Sequence, residues 1–418
     1  MEEQDCVVVG GGPAGVVLAY LLARAGRRVT LLESRQDFAR RFRGDSLAPA
    51  VLDYLHALGL ADDVLARPHA TASAFTVHTP RRSYRIADFS TASPRYPHYV
   101  LLPQPELLTL MTEKAAAYPG FTLRTSARVV GLIEEGGRVV GVRHRAPGGD
   151  VAEVRAPLVV GTDGRFSTVR RLGGFATEEL GAGLDVLWFE VPRRPGDPGL
   201  SGLDYFSLPG RAVVALGQDG TWQLGYVIPT GTVAQARAAG VGPVVATARA
   251  VLPWLGDRLA DLTDFSQLTL LNVRITRVPD WYRPGLLLLG DAAHVISPVG
   301  GNGINIAIAD AAEAGNTLAP VLGAGPDAVD RACREVETRR RPVSDAEQRR
   351  QVRTERASVA RLRRGTAEPA WPLRVVARVP ALARALGRRG ATAIAIPAPA
   401  CVGSAVPTGA AGRSRRPR

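Results

Sequence analysis

The chain has 418 residues, 46% hydrophobic and 22% charged, which suits two or three folded domains and excludes a fibrous or wholly disordered chain. Its formal charge of +13 is lopsided: residues 331–418 carry 21 arginines against six carboxylates, while residues 1–330 net −2. That basic fifth lacks the interleaved aromatics that stack bases, so no nucleic-acid partner is expected, only a solvated basic surface with at most weak peripheral attraction to anionic lipid.

The chain opens with a strand at Cys6–Val9, a glycine turn at 10–15, a helix from Ala14 to Ala25 and a second strand at Val29–Glu33. Both strands are continuously apolar, as in a parallel sheet covered on both faces. A helix is expected from Pro49 to Leu58, a hairpin from Ala74–His78 and Ser83–Ile86, and an amphipathic helix from Pro105 to Tyr118. Strand patterns follow at 122–125, 127–134, 138–145, 150–155 and 158–161. From about 182 the texture changes to alternating strands, 185–191, 203–208, 211–216 and 221–228, bounded by Gly and Pro, then a helix at 243–252. A strand at 268–275 is expected to return to the first domain, with 285–289 as the last strand of the first sheet. Helices are expected at 303–318 and 326–361, a basic, partly amphipathic stretch at 372–389, and disorder from 391 to 418, where Ala, Pro, Gly and Arg show no periodicity.

Cys6, Cys333 and Cys401 have no pairing or ligand spacing, so neither a disulfide framework nor a metal site is expected. The acidic first residues run straight into a strand and no run of 18 apolar residues occurs, so the expectation is a cytoplasmic protein without stable membrane insertion.

Gly10, Gly12 and Gly15 form a G-x-G-x-x-G turn between strand and helix, with Pro13 and Ala14 inside it. Gly10 permits the tight turn, Gly12 lets a pyrophosphate reach the backbone, and Gly15 lets helix and strand pack closely. Free N–H groups and the dipole at the helix start hold phosphate charge. Glu33 ends the second strand 18 residues after Gly15, where a carboxylate accepts from a ribose diol and repels a 2′-phosphate, which favours FAD or NAD over NADP in this turn.

Two further motifs lie far downstream. Leu158–Gly161 runs into Thr162-Asp163-Gly164, followed by Ser167 and Arg170-Arg171. Leu286–Leu289 runs into Gly290-Asp291-Ala292-Ala293-His294, then Pro298 and Gly301-Asn302-Gly303-Ile304-Asn305, to Asp310. On these three motifs the chain resembles the FAD-dependent monooxygenases of the para-hydroxybenzoate hydroxylase type, which include ubiquinone-biosynthesis hydroxylases and many tailoring enzymes of secondary metabolism.

The resemblance implies an α/β fold: a Rossmann-like FAD-binding domain of the glutathione-reductase type, an inserted antiparallel-sheet substrate domain, and C-terminal helices. The expected division is 1–72, 96–180 and 270–345 for FAD, 73–95 and 181–269 for substrate, 346–390 as a helical segment and 391–418 as a basic tail. It also implies roles. Asp291 would hold a ribitol hydroxyl. Gly301, Gly303, Ile304 and Asn305 would begin a helix facing the flavin pyrimidine edge, with Pro298 and Gly301 near the ring. Asp163 and Gly164 belong to a motif tied to both FAD and NAD(P)H. Arg43 and Gln104 would contact FAD, and the Val129 backbone would meet adenine. His294 is expected to make a structural hydrogen bond.

The implied reaction takes electrons from NADH or NADPH, uses a flavin C4a-hydroperoxide formed with O2, and inserts one oxygen atom into a small molecule. No second dinucleotide turn occurs, which suits a donor that binds transiently. Trp188, Phe189, Tyr205, Phe206, Trp222 and Tyr226 are expected to line or support an apolar pocket for an aromatic or polyketide-like substrate. The chain is expected to be a monomer or homodimer. A dehydrogenase or reductase of the same fold, or a non-catalytic FAD-binding protein, would keep the same motifs. A flavin-dependent halogenase would be expected to carry a W-x-W-x-I-P segment, where this chain reads Leu224-Gly225-Tyr226-Val227-Ile228-Pro229.

Overall fold

The computed structural model describes residues 4–39, 46–181, 183–272, 274–297 and 301–400. Arg43, Pro298 and residues 401–418 therefore lie outside the described residues.

A six-stranded sheet forms the base. Its spatial order is Tyr282–Arg283, Leu286–Leu288, Val159–Gly161, Cys6–Val9, Val29–Leu32 and Phe121–Arg124. All neighbours pair in parallel except Tyr282–Arg283, an antiparallel edge strand. The four inner strands are buried at every position, which is why they read as unbroken apolar runs. The Pro13–Arg24 helix lies against the sheet, flanked by the Gly303–Leu318 and Gln104–Ala116 helices. Cys6 and Cys333 sit in this core and are free thiols whose pKa burial pushes up.

A second sheet has seven strands in the order Thr269–Leu271, Leu184–Pro192, Thr221–Pro229, Arg211–Gly217, Gly202–Leu208, Ala74–His78 and Ser83–Asp88. One face packs Phe189, Phe206, Val213 and Trp222 against the Gly242–Val251 helix. The Trp222 indole N–H donates to Asp197 at 2.8 Å, and Asp197 also accepts from Arg258. The other face sets Tyr205, Val214 and Val227 against Val359 and Leu362 of the long helix Pro326–Arg363.

The expected strand at 268–275 is two strands. Thr269–Leu271 pairs with Leu184–Pro192, while Ile275–Arg277 joins a separate three-stranded sheet with Glu178–Gly181 and His294–Val295. The apolar pattern runs across the break, so periodicity alone joined them. The expected disorder is corrected for residues 391–400. Ile394 is buried among Ile296, Ile306 and Ala309, and Asn316 donates to the Ala398 carbonyl and accepts from the Ala400 N–H. Two isoleucines in an Ala-Pro stretch, buried Ile394 and part-buried Ile396, supply an anchor that composition hides.

Candidate functional site

Four neighbouring parallel strands end level with one another: Leu32, Val9, Gly161 and Leu288 are register partners in turn. The residues that follow are Glu33, Gly10, Thr162–Asp163 and Leu289–Asp291. Strands lie about 4.8 Å apart, so this row covers roughly 15 Å along the carboxyl edge of the sheet. That edge is where open α/β sheets bind their ligands.

The glycine turn is tight in a way only glycine allows. Gly10 has φ +107°, and a Cβ there would stand 2.6 Å from Asp163 Cα. A Cβ on Gly15 would stand 2.0 Å from the Gly10 carbonyl oxygen and 2.6 Å from Thr162 Oγ1. Thr162 Oγ1 itself donates to the Val9 and Gly10 carbonyls. Gly12 is the N-cap of the Pro13–Arg24 helix with no side-chain cap, Pro13 opens the helix, and Ala14 is buried in its first turn. Buried Glu33 accepts from the Gly11 N–H at 2.8 Å and, through its other oxygen, from Ser34 Oγ and the Arg35 N–H. The Ser126 and Ala127 N–H groups donate to the Arg35 and Glu33 carbonyls, which lays the Arg128–Glu135 strand, with Val129, beside this acid. Gln104 is buried at the start of its helix, which packs on the Pro13–Arg24 helix.

Asp163 braces its own loop. Its carboxylate accepts from Ser167 Oγ and from the Thr168 and Val169 N–H groups, the latter two at 2.7 and 3.0 Å. Burial raises its pKa, against the pull of these hydrogen bonds. Gly164 has φ +83°, and among the described residues nothing lies within 4 Å of a Cβ position there. Arg170 clamps two motifs: one guanidinium nitrogen donates to the Ala292 carbonyl at 3.0 Å and the other to the Arg165 carbonyl at 2.7 Å. Burial draws the Arg170 pKa down.

Asp291 is part-exposed on the 3-10 turn Gly290–Ala292 and accepts from Arg165 Nε at 3.3 Å. That turn hangs on Asp310, which is fully buried and accepts from the Gly290 N–H at 3.1 Å, His294 Nε2 at 2.6 Å and Arg340 Nε at 2.9 Å. Burial opposes ionisation of Asp310, but the charges of His294 and Arg340 and their hydrogen bonds outweigh it and hold the pKa below its usual value. His294 thus serves the turn structurally. A Cβ on Gly290, at φ +59°, would lie 3.2 Å from Ala14 Cβ and 3.6 Å from Ala307 Cβ, so the first and third motifs meet here.

At the start of the Gly303–Leu318 helix, Asn305 works as a staple. Its Oδ1 accepts from the Ala48 N–H at 2.8 Å, and its Nδ2 donates to the Ser46 and Gly301 carbonyls at 3.0 and 3.1 Å. Gly301, at φ +66°, leaves room for Ser46 Oγ, which donates to its carbonyl. Gly303 begins the helix and Ile304 is buried in the parallel-sheet core.

The support for the preceding loop was missed by sequence reasoning. The Ser297 N–H donates to Gln351 Oε1 at 2.7 Å, Asn302 Nδ2 to Glu347 Oε1 at 3.0 Å, and Gln348 Nε2 to the Val295 carbonyl at 2.9 Å. All three acceptor or donor side chains come from one face of the Pro326–Arg363 helix. Burial works to raise the Glu347 pKa, but Arg350, Asn302 and Gln351 hold it low, whereas burial drives that of Glu355 up. The available signal was the three-and-four spacing of Ser344, Gln348, Gln351 and Glu355.

Trp188 is buried on the seven-stranded sheet. Its ring lies 2.9 Å from where a Cβ on Gly225 would be, and its indole N–H has no hydrogen-bond partner among the described residues.

The FAD binding domain family matches residues 3–350. The 6-methylpretetramide 4-monooxygenase of Streptomyces rimosus is 36% identical over 390 residues, covering 92% of this chain and 91% of that one. The rifampicin monooxygenase of Streptomyces venezuelae is 31% identical, covering 75% of this chain and 64% of that one. A p-nitrophenol 4-monooxygenase from Pseudomonas putida has the same fold, with TM-score 0.71 at 23% identity, covering 94% of this chain and 95% of that one. The motif row, the family match and the long-range identity agree: the chain belongs to the FAD binding domain family, and it is an FAD-dependent monooxygenase of the aromatic-hydroxylase type.

Proposed function

We propose that this enzyme uses NADH or NADPH to hydroxylate an apolar aromatic or polyketide-like molecule of secondary metabolism. The reading rests on the single row of strand ends that sets Glu33, the glycine turn, Asp163-Gly164 and Asp291 side by side. In this proposal the ADP half of FAD lies over the Gly10–Gly15 turn, with its pyrophosphate on the helix start and its ribose on Glu33. Asp291 accepts from a ribitol hydroxyl, and Arg43 and Gln104 add polar contacts. The Val129 backbone meets adenine. The backbone from Gly301 to Asn305, including Gly303 and Ile304, faces the pyrimidine edge near Pro298, where a helix start favours negative charge.

Bound FAD supplies the electron storage and the reaction with O2. The chain's part is to orient it and exclude water. The first sheet is assigned as the cofactor domain and the seven-stranded sheet, from 73–95 and 181–269, as the substrate domain. Trp188 and Tyr205 are on its side away from the Phe189–Trp222 cluster, and they are assigned to support an apolar pocket. The relatives named for 6-methylpretetramide and rifampicin support a substrate of this kind.

Anaerobic mixing of the FAD-loaded protein with NADH or NADPH, with and without a panel of polyketide aromatics, tests the reading. Substrate-accelerated flavin bleaching, followed by label in the product once oxygen-18 gas is admitted, supports it. Reduction without label in any product would leave a dehydrogenase instead.

A further inference from the structure

The two C-terminal helices take no part in the chemistry above, yet their surface is unusual. Among the described residues eight large hydrophobic side chains are exposed, and four of them fall between Trp371 and Leu382. Trp371, 69% exposed, and Val375 stand one turn apart on the Trp371–Val376 helix. Val379, the N-cap of the Pro380–Thr392 helix, and Leu382 in its first turn are exposed as well.

Arginines alternate with this surface: Arg374, Arg378, Arg384 and Arg388 are all exposed. After Glu368 the chain holds nine arginines and no Asp or Glu. The opposite side of the second helix is fixed. Ala383, Gly387 and Ala391 are buried, and a Cβ on Gly387 would stand 2.0 Å from the Asp88 carbonyl oxygen. Ile394 and the Asn316 clamp then secure the segment that follows. The apolar and basic side is therefore presented on a held platform.

We propose that the Trp371–Leu382 face docks on the surface of an anionic phospholipid bilayer. The argument is charge complementarity joined to apolar exposure. Guanidinium groups bind phosphate headgroups in a fork, and an indole with aliphatic neighbours settles at the headgroup boundary. Among the described residues no helix is long and apolar enough to cross a membrane, so the contact is peripheral.

The test uses full-length, FAD-loaded protein and sucrose-loaded vesicles of phosphatidylcholine, with or without about one quarter phosphatidylglycerol. Cosedimentation with the anionic vesicles only, with a blue shift of tryptophan emission, is expected. Arg378→Ser with Arg388→Ser should weaken binding by about fivefold for each arginine. Trp371→Ala with Val375→Ser should weaken it by about tenfold or more, and Trp371→Phe should retain binding while losing the emission shift. Replacing Arg413, Arg415, Arg416 and Arg418 by Ser should leave binding within about twofold, since they are not part of the Trp371–Leu382 segment. Failure of the unsubstituted protein to bind anionic vesicles at low salt overturns the proposal. So does loss of binding in the four-arginine variant with full binding in Trp371→Ala/Val375→Ser. The soluble-substrate assay above is unaffected by either outcome, so the two readings fail separately.

Discussion

The Gln351 carboxamide oxygen accepts the Ser297 backbone N–H at 2.7 Å, fixing the entrance of a motif loop from a helix more than fifty residues downstream. Both groups are buried. The same amide donates to Glu347, which in turn receives Asn302. A polar helix face thus satisfies buried groups at Ser297 and Asn302, ahead of the Gly303–Leu318 helix.

Gln351→Leu should strand that N–H. An unmade buried hydrogen bond costs about 1–3 kcal/mol, and part of that cost should appear as weaker cofactor binding. Flavin fluorescence titration is expected to give a Kd raised by roughly tenfold, with a lower melting temperature. An unchanged Kd would mean the loop holds its shape without Gln351.

Asp310→Asn leaves Arg340 buried without its carboxylate partner, a change that typically costs about 3–5 kcal/mol. Urea unfolding should show it. The wild-type pH dependence follows from the same group. Its folded pKa is lowered, so its stabilisation is full above the unfolded value of about 4 and is lost as pH falls through the folded value. Asp310→Asn should flatten that acid limb. A limb of the same steepness in the variant would assign it elsewhere.

Glu355 predicts the opposite slope. It is 2% exposed, and its pKa is raised first by burial and further by nearby Asp185, against a hydrogen bond from Ser297. Its stability contribution is complete below the unfolded value and declines as pH rises through the folded one. Glu355→Gln should therefore gain stability relative to wild type between about pH 5 and pH 8. Urea midpoints at the two pH values check this, and a difference independent of pH would contradict it.

Two glycines should part company. Gly15→Ala drives a methyl into backbone at 2.0 Å, so little folded flavoprotein is expected. Gly131→Ala meets the Arg143 side chain, Cβ at 3.7 Å and Cδ at 3.9 Å, both ordinary contacts, and should be neutral or stabilising by about 0.5 kcal/mol. Soluble yield and melting temperature separate them, and equal behaviour would undo the packing argument.

The parallel sheet was legible because its strands are buried on both faces and end in glycine-bearing turns. Those turns also single out Glu33, Asp163 and Asp291 as candidates, and the four strand ends place them along one edge of the sheet. Their partners were not. Asp163 and Glu33 spend oxygens on neighbouring N–H groups, and Arg165 lies against Asp291. A linear pattern does not carry such local pairings. The stripe Ser344, Gln348, Gln351 and Glu355 was hidden for a different reason: a polar helical face reads as solvated, whereas here it is buried against loop backbone. Ser46–Leu47 and Tyr99–Leu101 are two- and three-residue strands, too short for any alternation to register.

The Pro326–Arg363 helix has a mechanical consequence. Val329, Cys333 and Val336 at one end are embedded beneath the six-stranded sheet, and Val359 and Leu362 at the other brace the seven-stranded one, which is mixed because Ala74–His78 and Gly202–Leu208 run parallel. Pro342 interrupts its backbone bonding only locally. A single rod rooted in both layers ties their melting together, so heating should produce one cooperative endotherm rather than two, and the flavin should be released in the same step.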